Sequence, residues 1–395
     1  MEILKIKEGD IEISIPENEK LSGKIPFFNP VMKFNRDFTI AIFKVKRFLD
    51  GLSACGALSI RLKKEAEDIE IHSNEISNET LKFLRQNKED NNADIIIHNR
   101  DLNLLLNEDA NFDFIDIDPF GSPVYFLSNV LLNARHNAII GITATDLGTL
   151  CGRFGDACIR RYGTFSSKTD FDKEFGLRNL IGYIAREAAK YEVGIEILFS
   201  YYFMHYFKVY FRVKRSRSRT DETLKNLNFL LYCDISMSRK YIAFEDIGTE
   251  NFCEQQQDEW GNKFKILGPI WSGKFADENV CDLLSKEVEE KTEQKILTLV
   301  KEEQNILVPY YDLHKFCKIN HIQIKGTDDI IKITSFFKRS LKNPGTTVSG
   351  LRSEISKFDN FEIANENKFN AARTHFDGKG LRFNGDAKEL LEILK

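Results

Sequence analysis

The stretch FDFIDIDPFGSP, residues 112–123, decides the fold because it turns from a buried strand into a polar loop within a few residues. Four of its first six residues are apolar, which is typical of a strand inside a sheet. The loop then presents Asp118, Pro119 and Phe120 side by side. Taken alone, the tetrapeptide Asp-Pro-Phe-Gly is either a turn that caps the next helix or a ligand site at a strand end, and the acids that follow the three preceding strands favour the ligand site.

The first half of the chain alternates strands and helices on both sides of this stretch. Short apolar runs precede helical patterns in FLDGLSACGALSIRLKKEA, IEIHSNEISNETLKFLRQN, DIIIHNRDLNLLLNE and NAIIGITATD, and a long helix covers FGLRNLIGYIAREAAKYEVG. Two more strands are predicted on either side of residues 201–206. This alternation predicts an α/β fold with a parallel, doubly wound, Rossmann-like sheet. Such a sheet binds its ligand at the carboxyl ends of the strands.

The pattern changes after about residue 221. NFLLYCDISMSRKYIAFED predicts a β-hairpin, and LGPIWSGKFADE has the composition of a Gly- and Pro-rich connector. Helices and a smaller C-terminal α+β stretch follow. With 395 residues, two domains are expected. We place them at residues 1–265 and 266–395.

Composition excludes several classes of protein. The chain has no apolar run of membrane-spanning length, and MEILKIKEGDIEISIP is not a signal peptide, so we expect a cytoplasmic protein with no membrane partner. Its seven cysteines are scattered without a C-x-x-C spacing, which predicts reduced thiols and no metal site. No obligate protein partner is evident.

One segment is strongly basic although the net charge is only −4. KVYFRVKRSRSRT, residues 208–220, contains no acidic residue and follows an aromatic strand. Such a run is either a solvated loop or a contact to phosphate groups. The candidate phosphate-binding residues are Lys214, Arg215, Arg217 and Arg219.

Acidic residues follow the first three predicted strands. Asp50 precedes the small-residue loop GLSACG, which contains Ser53 and lets backbone amides approach a ligand. Glu75 is placed to bind the two hydroxyls of a ribose, and Asp101 to accept a hydrogen bond from an adenine amino group. The G-x-G-x-x-G fingerprint is absent, so the pattern favours S-adenosylmethionine over NAD.

A second dense cluster is PFFNPVMKFNRD, residues 26–37. Two aromatic residues precede a helix that starts near Arg36, whose guanidinium suits the carboxylate of a methionine moiety. In the DPFG turn, Asp118 and a neighbouring carbonyl would accept the N–H bonds of a nucleobase amino group. Pro119 fixes the backbone, and Phe120 would stack on the base.

Taken together, these residues resemble the Trm1 family of tRNA (guanine-26-N2)-dimethyltransferases, in particular the archaeal type. The resemblance spans nearly the whole chain, through FFNPVMKFNRD, LDGLSACG, SNEIS, DIDPFGSP, GITATDLGTLCG, GYIAREAAKYEVGI, DETLKNLNFLLYCD, LGPIWSGKF, VPYYDLHKFCK and AARTHFDGKGL. It implies a class I methyltransferase domain, S-adenosylmethionine as donor, tRNA as substrate and a tRNA-binding C-terminal domain.

The resemblance also assigns roles to single residues. Asp118 matches the catalytic carboxylate, and Phe27 and Phe120 match the aromatic residues that hold the guanine. The positions that match cofactor contacts are Arg36, Asp50, Glu75, Asp101 and Leu102, the last through its backbone.

Two positions depart from the family pattern. Leu58 stands where the family often has an arginine near the cofactor, and Arg61 lies one helical turn later, where it could substitute. Of the C-x-x-C pattern that some members carry, Cys233 remains, and Cys253 has no partner at zinc spacing, so no zinc is expected.

Two other functions stay open at this point. An adenine-N6 methyltransferase of nucleic acids uses a similar acid–Pro–aromatic turn, but such enzymes tend to have Pro-Pro-aromatic where this chain has Pro-Phe-Gly. A non-catalytic RNA-binding protein would explain Leu58. A titration with S-adenosylmethionine would separate the non-catalytic alternative from the two enzymes.

Overall fold

The computed structural model describes residues 3–16, 28–42, 45–66, 68–109, 111–249, 256–323 and 370–394. Phe27 and Cys253 therefore lie outside the described residues. Within these ranges no helix is both long and apolar enough to cross a membrane.

The strands of the first part of the chain build a hairpin and a central sheet. They are β1 (Ile3–Glu8), β2 (Ile11–Pro16), β3 (Arg47–Asp50), β4 (Glu70–Asn74), β5 (Ile96–His98), β6 (Phe114–Ile117), β7 (Ile139–Ala144), β8 (Val193–Phe203) and β9 (Tyr206–Arg215). The hairpin of β1 and β2, which the sequence analysis did not identify, is antiparallel and separate from the central sheet. The seven-stranded sheet has the order β5-β4-β3-β6-β7-β9-β8.

The prediction of a doubly wound α/β sheet is confirmed for β3 to β7, which all run parallel. It is wrong for β9, which runs antiparallel to both β7 and β8, so that β8 has the same direction as β7. The cause is local: only Met204 and His205 separate β8 from β9, and so short a connection can join only antiparallel strands.

Helices cover this sheet and build much of the second part. They are α1 (Lys33–Ile42), α2 (Ala57–Glu65), α3 (Asn78–Asp90), α4 (Leu102–Glu108), α5 (Val124–Asn133), α6 (Leu147–Leu150), α7 (Gly155–Tyr162), α8 (Asp172–Ala189), α9 (Arg217–Leu224), α10 (Glu278–Glu287), α11 (Lys291–Glu303), α12 (Leu313–Ile319) and α13 (Ala387–Leu394). Ser77 caps α3 by accepting a hydrogen bond from the Thr80 amide.

Two small sheets complete the fold. One contains β10 (Leu227–Tyr232), β11 (Arg239–Ala243) and β12 (Lys265–Trp271) in the order β11-β10-β12, and the other contains β13 (Tyr311–Asp312), β14 (Ala371–Arg373) and β15 (Gly380–Phe383). The predicted hairpin is therefore confirmed as β10 and β11. The predicted connector is wrong, since LGPIW lies in strand β12, where the edge position tolerates Pro269.

The hydrophobic core does not divide at residue 265. Trp271, Phe275 and Leu284 pack in the same cluster as the seven-stranded sheet. A second cluster lies further along the chain, around Tyr311 and Leu381. The division into residues 1–265 and 266–395 stays a prediction, and the packing favours a later start for the independent C-terminal core.

Candidate active site

The acidic residues predicted as ligands lie along one edge of the sheet. Because β3 to β6 are parallel, their carboxyl ends share that edge. Asp50 ends β3, and Glu75, Asp101 and Asp118 follow β4, β5 and β6 within three residues. The fold thus brings together four residues that are up to 68 positions apart in the sequence.

The loop after β3 is held tightly by hydrogen bonds. The Ser53 hydroxyl donates to the Asp50 carbonyl at 2.9 Å, and the Ser53 amide donates to the Asn74 carbonyl at 2.9 Å, which ties the ends of β3 and β4 together. Gly51 is required here, since a Cβ atom would lie 2.9 Å from Leu102 Cδ2. The loop therefore approaches the start of α4 with backbone and not side chain.

The Asp50 carboxylate is buried beneath this loop. It accepts a hydrogen bond from the Ser59 hydroxyl at 2.9 Å. Burial, followed by the negative charge of Asp116, raises the pKa of Asp50 to about 7. Asp50 thus holds the loop to α2 through Ser59. Because its pKa is near neutral, a charge bound beside it would change its ionisation.

Glu75 and Asp101 occupy the ends of the next two strands. Glu75 is half-buried and accepts a hydrogen bond from the Ser77 amide at 2.7 Å, and burial raises its pKa. Asp101 caps α4 by accepting from the amide of Asn103 at 2.8 Å. Leu102 is the first residue of α4, where a backbone N–H has no partner within the helix.

The DPFG turn is pinned to the end of β7. The Gly121 amide donates to Thr145 Oγ1 at 2.8 Å, and the Thr145 amide donates back to the Gly121 carbonyl at 2.9 Å. Gly121 has φ +79°, a left-handed conformation that glycine adopts without strain. The turn leaves Phe120 73% exposed and places Asp118, which is half-buried, at its base.

Asp118 has one partner from the N-terminal part of the chain. Asn35 Nδ2 of α1 donates to Asp118 Oδ2 at 3.3 Å, and the Asn35 side chain also accepts from the Tyr210 hydroxyl at 3.2 Å. Burial raises the pKa of Asp118 to about 6, although the positive charge of Lys208 opposes this. The carboxylate is therefore mostly ionised at neutral pH and can accept a proton nearby.

Lys208 is a residue of the site that sequence reasoning missed. Its ammonium group is fully buried and donates to Asp116 Oδ1 at 2.6 Å and to Thr143 Oγ1 at 3.1 Å. Gly141, opposite Asp116 in β7, leaves the room for this pair, since a Cβ atom there would lie 2.1 Å from Asp116 Oδ1. In the sequence, Lys208 is the first residue of the basic run.

Arg36 contacts a carboxylate of the protein itself. Its Nε and Nη2 atoms donate to the two carboxylate oxygens of Glu8 at 2.6 and 2.5 Å, and its guanidinium lies 4.9 Å from the ring of Phe28. Arg61 also contacts Glu8, at 3.0 Å, and is 4% exposed. Both arginines thus anchor the β1–β2 hairpin to α1 and α2, and neither role was visible in the sequence.

The predicted basic run is placed at the other edge of the sheet. Ala144, at the carboxyl end of β7, pairs with Phe207, whereas Arg212 pairs with Ile139 at the amino end. Lys214 therefore lies about 20 Å along β9 from Lys208. The partners in the protein are Glu196 for Lys214, backbone carbonyls at the end of α5 for Arg215, Glu192 for Arg217 and Glu222 for Arg219.

The described residues contain no group of three or more His, Cys, Asp or Glu side chains that could hold a metal ion. Cys233 is buried and carries a free thiol.

The strand order and the acids at the strand ends define the chain as a class I, Rossmann-like methyltransferase, the class whose methyl donor is S-adenosylmethionine. Residues 5–342 match the family described as N2,N2-dimethylguanosine tRNA methyltransferase. The chain belongs to this family, as the sequence motifs had indicated.

Individual relatives are similar over the full length. A tRNA (guanine(26)-N(2))-dimethyltransferase of Pyrococcus horikoshii is 31% identical over 421 residues, which cover 100% of this chain and 99% of the relative. One from Methanobrevibacter smithii is 31% identical over 411 residues, with 100% and 97% covered. The structure of Trm1 from Pyrococcus horikoshii with S-adenosyl-L-methionine has 28% identity and a TM-score of 0.79, and covers 99% of this chain and 100% of that one.

Proposed function

We propose that the chain transfers one or two methyl groups from S-adenosylmethionine to the exocyclic N2 of guanine 26 in tRNA, with Asp118 as the catalytic carboxylate. The observation that carries the residue assignment is the position of Asp118. It follows a fully buried parallel strand at the ligand-binding edge, and it lies beside the hydrogen-bonded loop after β3. Relatives matched end to end bear the name of this activity.

The exocyclic amine of guanine is a poor nucleophile because its lone pair is delocalised into the ring. S-adenosylmethionine, when bound, supplies a methyl group on a positively charged sulfur. Asp118 accepts an N–H hydrogen bond from the amine, favours tetrahedral character at nitrogen and takes the proton that leaves as the N–C bond forms. The carbonyl of Pro119 accepts the second N–H bond, and no amide hydrogen of the proline competes with it.

The residues of the sheet edge fit the donor. Glu75 would accept from the ribose hydroxyls, Asp101 from the adenine amino group, and the Leu102 amide would face the adenine ring. Ser53 and Asp50 hold the loop after β3, whose backbone would contact the methionine moiety. Asp50, Glu75 and Asp101 lie at the ends of the neighbouring strands β3, β4 and β5, so an adenosine lying across this edge would meet these residues in turn.

Arg36 contributes a positive charge near Asp118. Glu8 holds two of its nitrogens, so its positive charge reaches the donor and Asp118 through space more than through a direct fork to the methionine carboxylate. Phe120 is exposed at the turn and would stack on the extruded guanine, a contact typically worth about 1–3 kcal/mol per base. Phe27, which matches the second aromatic residue of the family pattern, stays part of the proposal as a residue that holds the guanine.

The experiment that tests this proposal uses unmodified tRNA, S-adenosylmethionine and the Asp118→Asn variant. The wild-type chain should yield N2-methylguanosine and N2,N2-dimethylguanosine, read by mass spectrometry of nucleosides. The variant should lose about 10²–10³-fold in kcat, because an electrostatic group of the transition state is removed. Its affinity for the donor, measured by calorimetry, should stay within a few-fold of the wild type.

Glu75→Gln provides the matched control at the same edge. It should weaken donor binding and leave kcat at saturating donor nearly unchanged, the reverse of the Asp118 result. N6-methyladenosine as product would instead support the adenine alternative, and a chain that fails to bind the donor at micromolar concentration would support a non-catalytic RNA-binding protein. Turnover of Asp118→Asn at the wild-type rate would refute the assignment of Asp118.

The remaining expectations concern the cellular setting. A tRNA-modifying enzyme is expected in the cytoplasm, with its C-terminal part contributing to tRNA binding. The phosphate contacts predicted at Lys214, Arg215, Arg217 and Arg219 remain part of this proposal.

A further inference from the structure

A second basic surface lies next to the DPFG turn, in residues 147–168, which we call the post-β7 segment. It comprises α6, α7 and the loop after α7. The segment contains four basic residues and one acidic residue, Asp156. Arg153, Arg160 and Lys168 are exposed, and so is Phe154, with 53% of its surface accessible.

The post-β7 segment is attached rigidly to the turn that carries Asp118. The hydroxyl of Tyr162, a fully buried residue of α7, lies 2.7 Å from the hydroxyl of Ser122 and donates to Asp146 Oδ1 at 2.8 Å. Arg161 donates to the other oxygen of Asp146 at 3.2 Å. Arg161 therefore has an ion-pair partner within the fold. Arg160 belongs to the same helix, and Arg153 lies in the loop just before it, so the attachment of α7 to Ser122 also holds these two residues near the turn that carries Asp118.

The exposed ring of Phe154 is held in place from below. The amides of Arg153 and Phe154 both donate to the Gly148 carbonyl at 3.0 Å, and a Cβ atom at Gly148 would lie 2.6 Å from the Phe154 ring. The Arg153 guanidinium lies 5.5 Å from the centre of that ring. An arginine stacked on an exposed aromatic ring presents its remaining N–H groups to solvent, which suits phosphate and ribose together.

We propose that Arg153 and Arg160, with Phe154 between them in sequence, bind the sugar–phosphate backbone of tRNA next to the guanine that enters the site. The inference rests on the proposed function and adds the contact surface for its substrate. A base that leaves its stack needs its flanking backbone held, and phosphate contacts fix the register of a protein on nucleic acid. The predicted basic run at the far edge of the sheet cannot do this beside Asp118.

A purely structural role for Arg160 is the competing explanation. It lies in the last turn of α7, where a cation interacts favourably with the helix dipole. The two explanations differ in what a neutral variant changes. Loss of a dipole interaction lowers the melting temperature alone, whereas loss of a phosphate contact lowers the salt dependence of tRNA binding.

The test compares three double variants of the full chain: Arg153→Gln with Arg160→Gln, Arg217→Gln with Arg219→Gln, and Lys82→Gln with Arg85→Gln. Each removes two exposed positive charges, and the last pair lies on the outer face of α3. The affinity for unmodified tRNA is measured without donor from 50 to 400 mM KCl. Melting temperature and donor affinity are measured for each protein.

The first variant should lower the slope of log Kd against log salt by about 1.6, roughly 0.8 for each lost contact. If the lines meet near 1 M salt, this corresponds to roughly 40-fold weaker binding at 0.1 M. Donor affinity should not change. The Lys82 and Arg85 variant should keep the wild-type slope.

An unchanged slope in the first variant, or an equal loss in the variant of α3, would overturn the inference. A loss found in the Arg217 and Arg219 variant instead would assign the contact to the far edge of the sheet. These readings are independent of the proposed function, because binding is measured without methyl transfer. If the wild type binds tRNA but forms no N2-methylguanosine, the proposed function fails and the surface is still tested.

Discussion

Separate roles for the two neighbouring acids of the DIDPFG turn can be tested through the buried pair of Asp116 and Lys208. The perturbations are Asp116→Leu, Lys208→Met and the two combined. Both residues are at most 1% exposed, and the two charged atoms are 2.6 Å apart. Asp116 Oδ2 has no hydrogen-bond partner among the described residues, so Lys208 carries most of the compensation for this buried charge.

The magnitude follows from the geometry. At an effective dielectric constant near 20, two unit charges at this distance attract by about 6 kcal/mol, and most of this offsets their desolvation. Removing one partner leaves the other charge buried and unpaired, which typically costs about 3–5 kcal/mol. For a chain of this size we expect each single variant to melt about 4–6 °C lower than the wild type. The double variant, with two apolar side chains, should recover most of the loss.

The assay is urea unfolding followed by the fluorescence of the two tryptophans, Trp260 and Trp271, of which Trp271 packs in the main core, and by far-UV circular dichroism. The Asp118→Asn variant serves as the matched control, since it should lose turnover and keep its unfolding free energy within about 1 kcal/mol. If either single variant of the pair loses less than about 1 kcal/mol, or if the double variant loses the sum of both, the pair is not the buried support that we describe.

Two further predictions concern pH. The kcat of the wild type should rise with pH through about 6 and stay level above it, because Asp118, with its pKa near 6, must be ionised to accept a proton. A stopped-flow or discontinuous methylation assay from pH 5 to 9 measures this dependence. A kcat that does not change with pH would contradict the role of Asp118. In the second part of the chain, burial favours neutral Glu303, but the charges of Arg382 and His375 prevail and lower its pKa from 4.5 to about 2. Ionised Glu303 should therefore stabilise the fold by about 3 kcal/mol above pH 4.5, and this contribution should be lost as the pH falls toward 2. In the Glu303→Gln variant, the urea concentration at the unfolding midpoint should change less between pH 5 and pH 3 than in the wild type. The same acid sensitivity in the variant would show that another group is responsible.

The sequence predicted the features that depend on residues close together in the chain. A strand, a small-residue loop and a helix follow one another within about twenty residues at Asp50, and the same order repeats at Glu75 and Asp101. Strand ends of parallel strands meet at one edge by geometry alone, so the positions of these acids could be derived. Caps are equally local, since Ser77 accepts from an amide only three residues further along the chain.

The features that were missed depend on contacts over long sequence distances. Lys208 is 92 positions from Asp116, and Asn35 is 83 positions from Asp118. The residues that flank Lys208 in the sequence do not indicate that its side chain is buried against Asp116. The same reason explains Arg36, since its partner Glu8 belongs to a hairpin whose place in the fold only the tertiary structure shows.

The direction of β9 had the largest effect on the predicted site. Residues that follow β3 to β7 lie at the ligand edge, whereas the sequence left the basic run as either a solvated loop or a phosphate contact, with no position relative to that edge. Since β9 runs the other way, its first residues reach that edge and its last residues leave it. The basic run Lys214–Arg219 therefore lies away from the site, although it follows the aromatic strand that contributes to it.

The hairpin of β8 and β9 also affects the order in which the parts of the site can assemble while the chain is being synthesised. Its turn meets the N-terminal residues directly: Asn29 contacts His205 at 3.2 Å, and the ring of Phe34 stacks on Phe203 with 4.1 Å between centroids. During synthesis the segment that carries Asn35 must wait until the ribosome has released some 170 further residues before these partners exist. A fragment that ends before residue 203 would lack both Lys208 and the surface that orders α1. The edge of the sheet that carries Asp118 is therefore complete only after β8 and β9 have been synthesised.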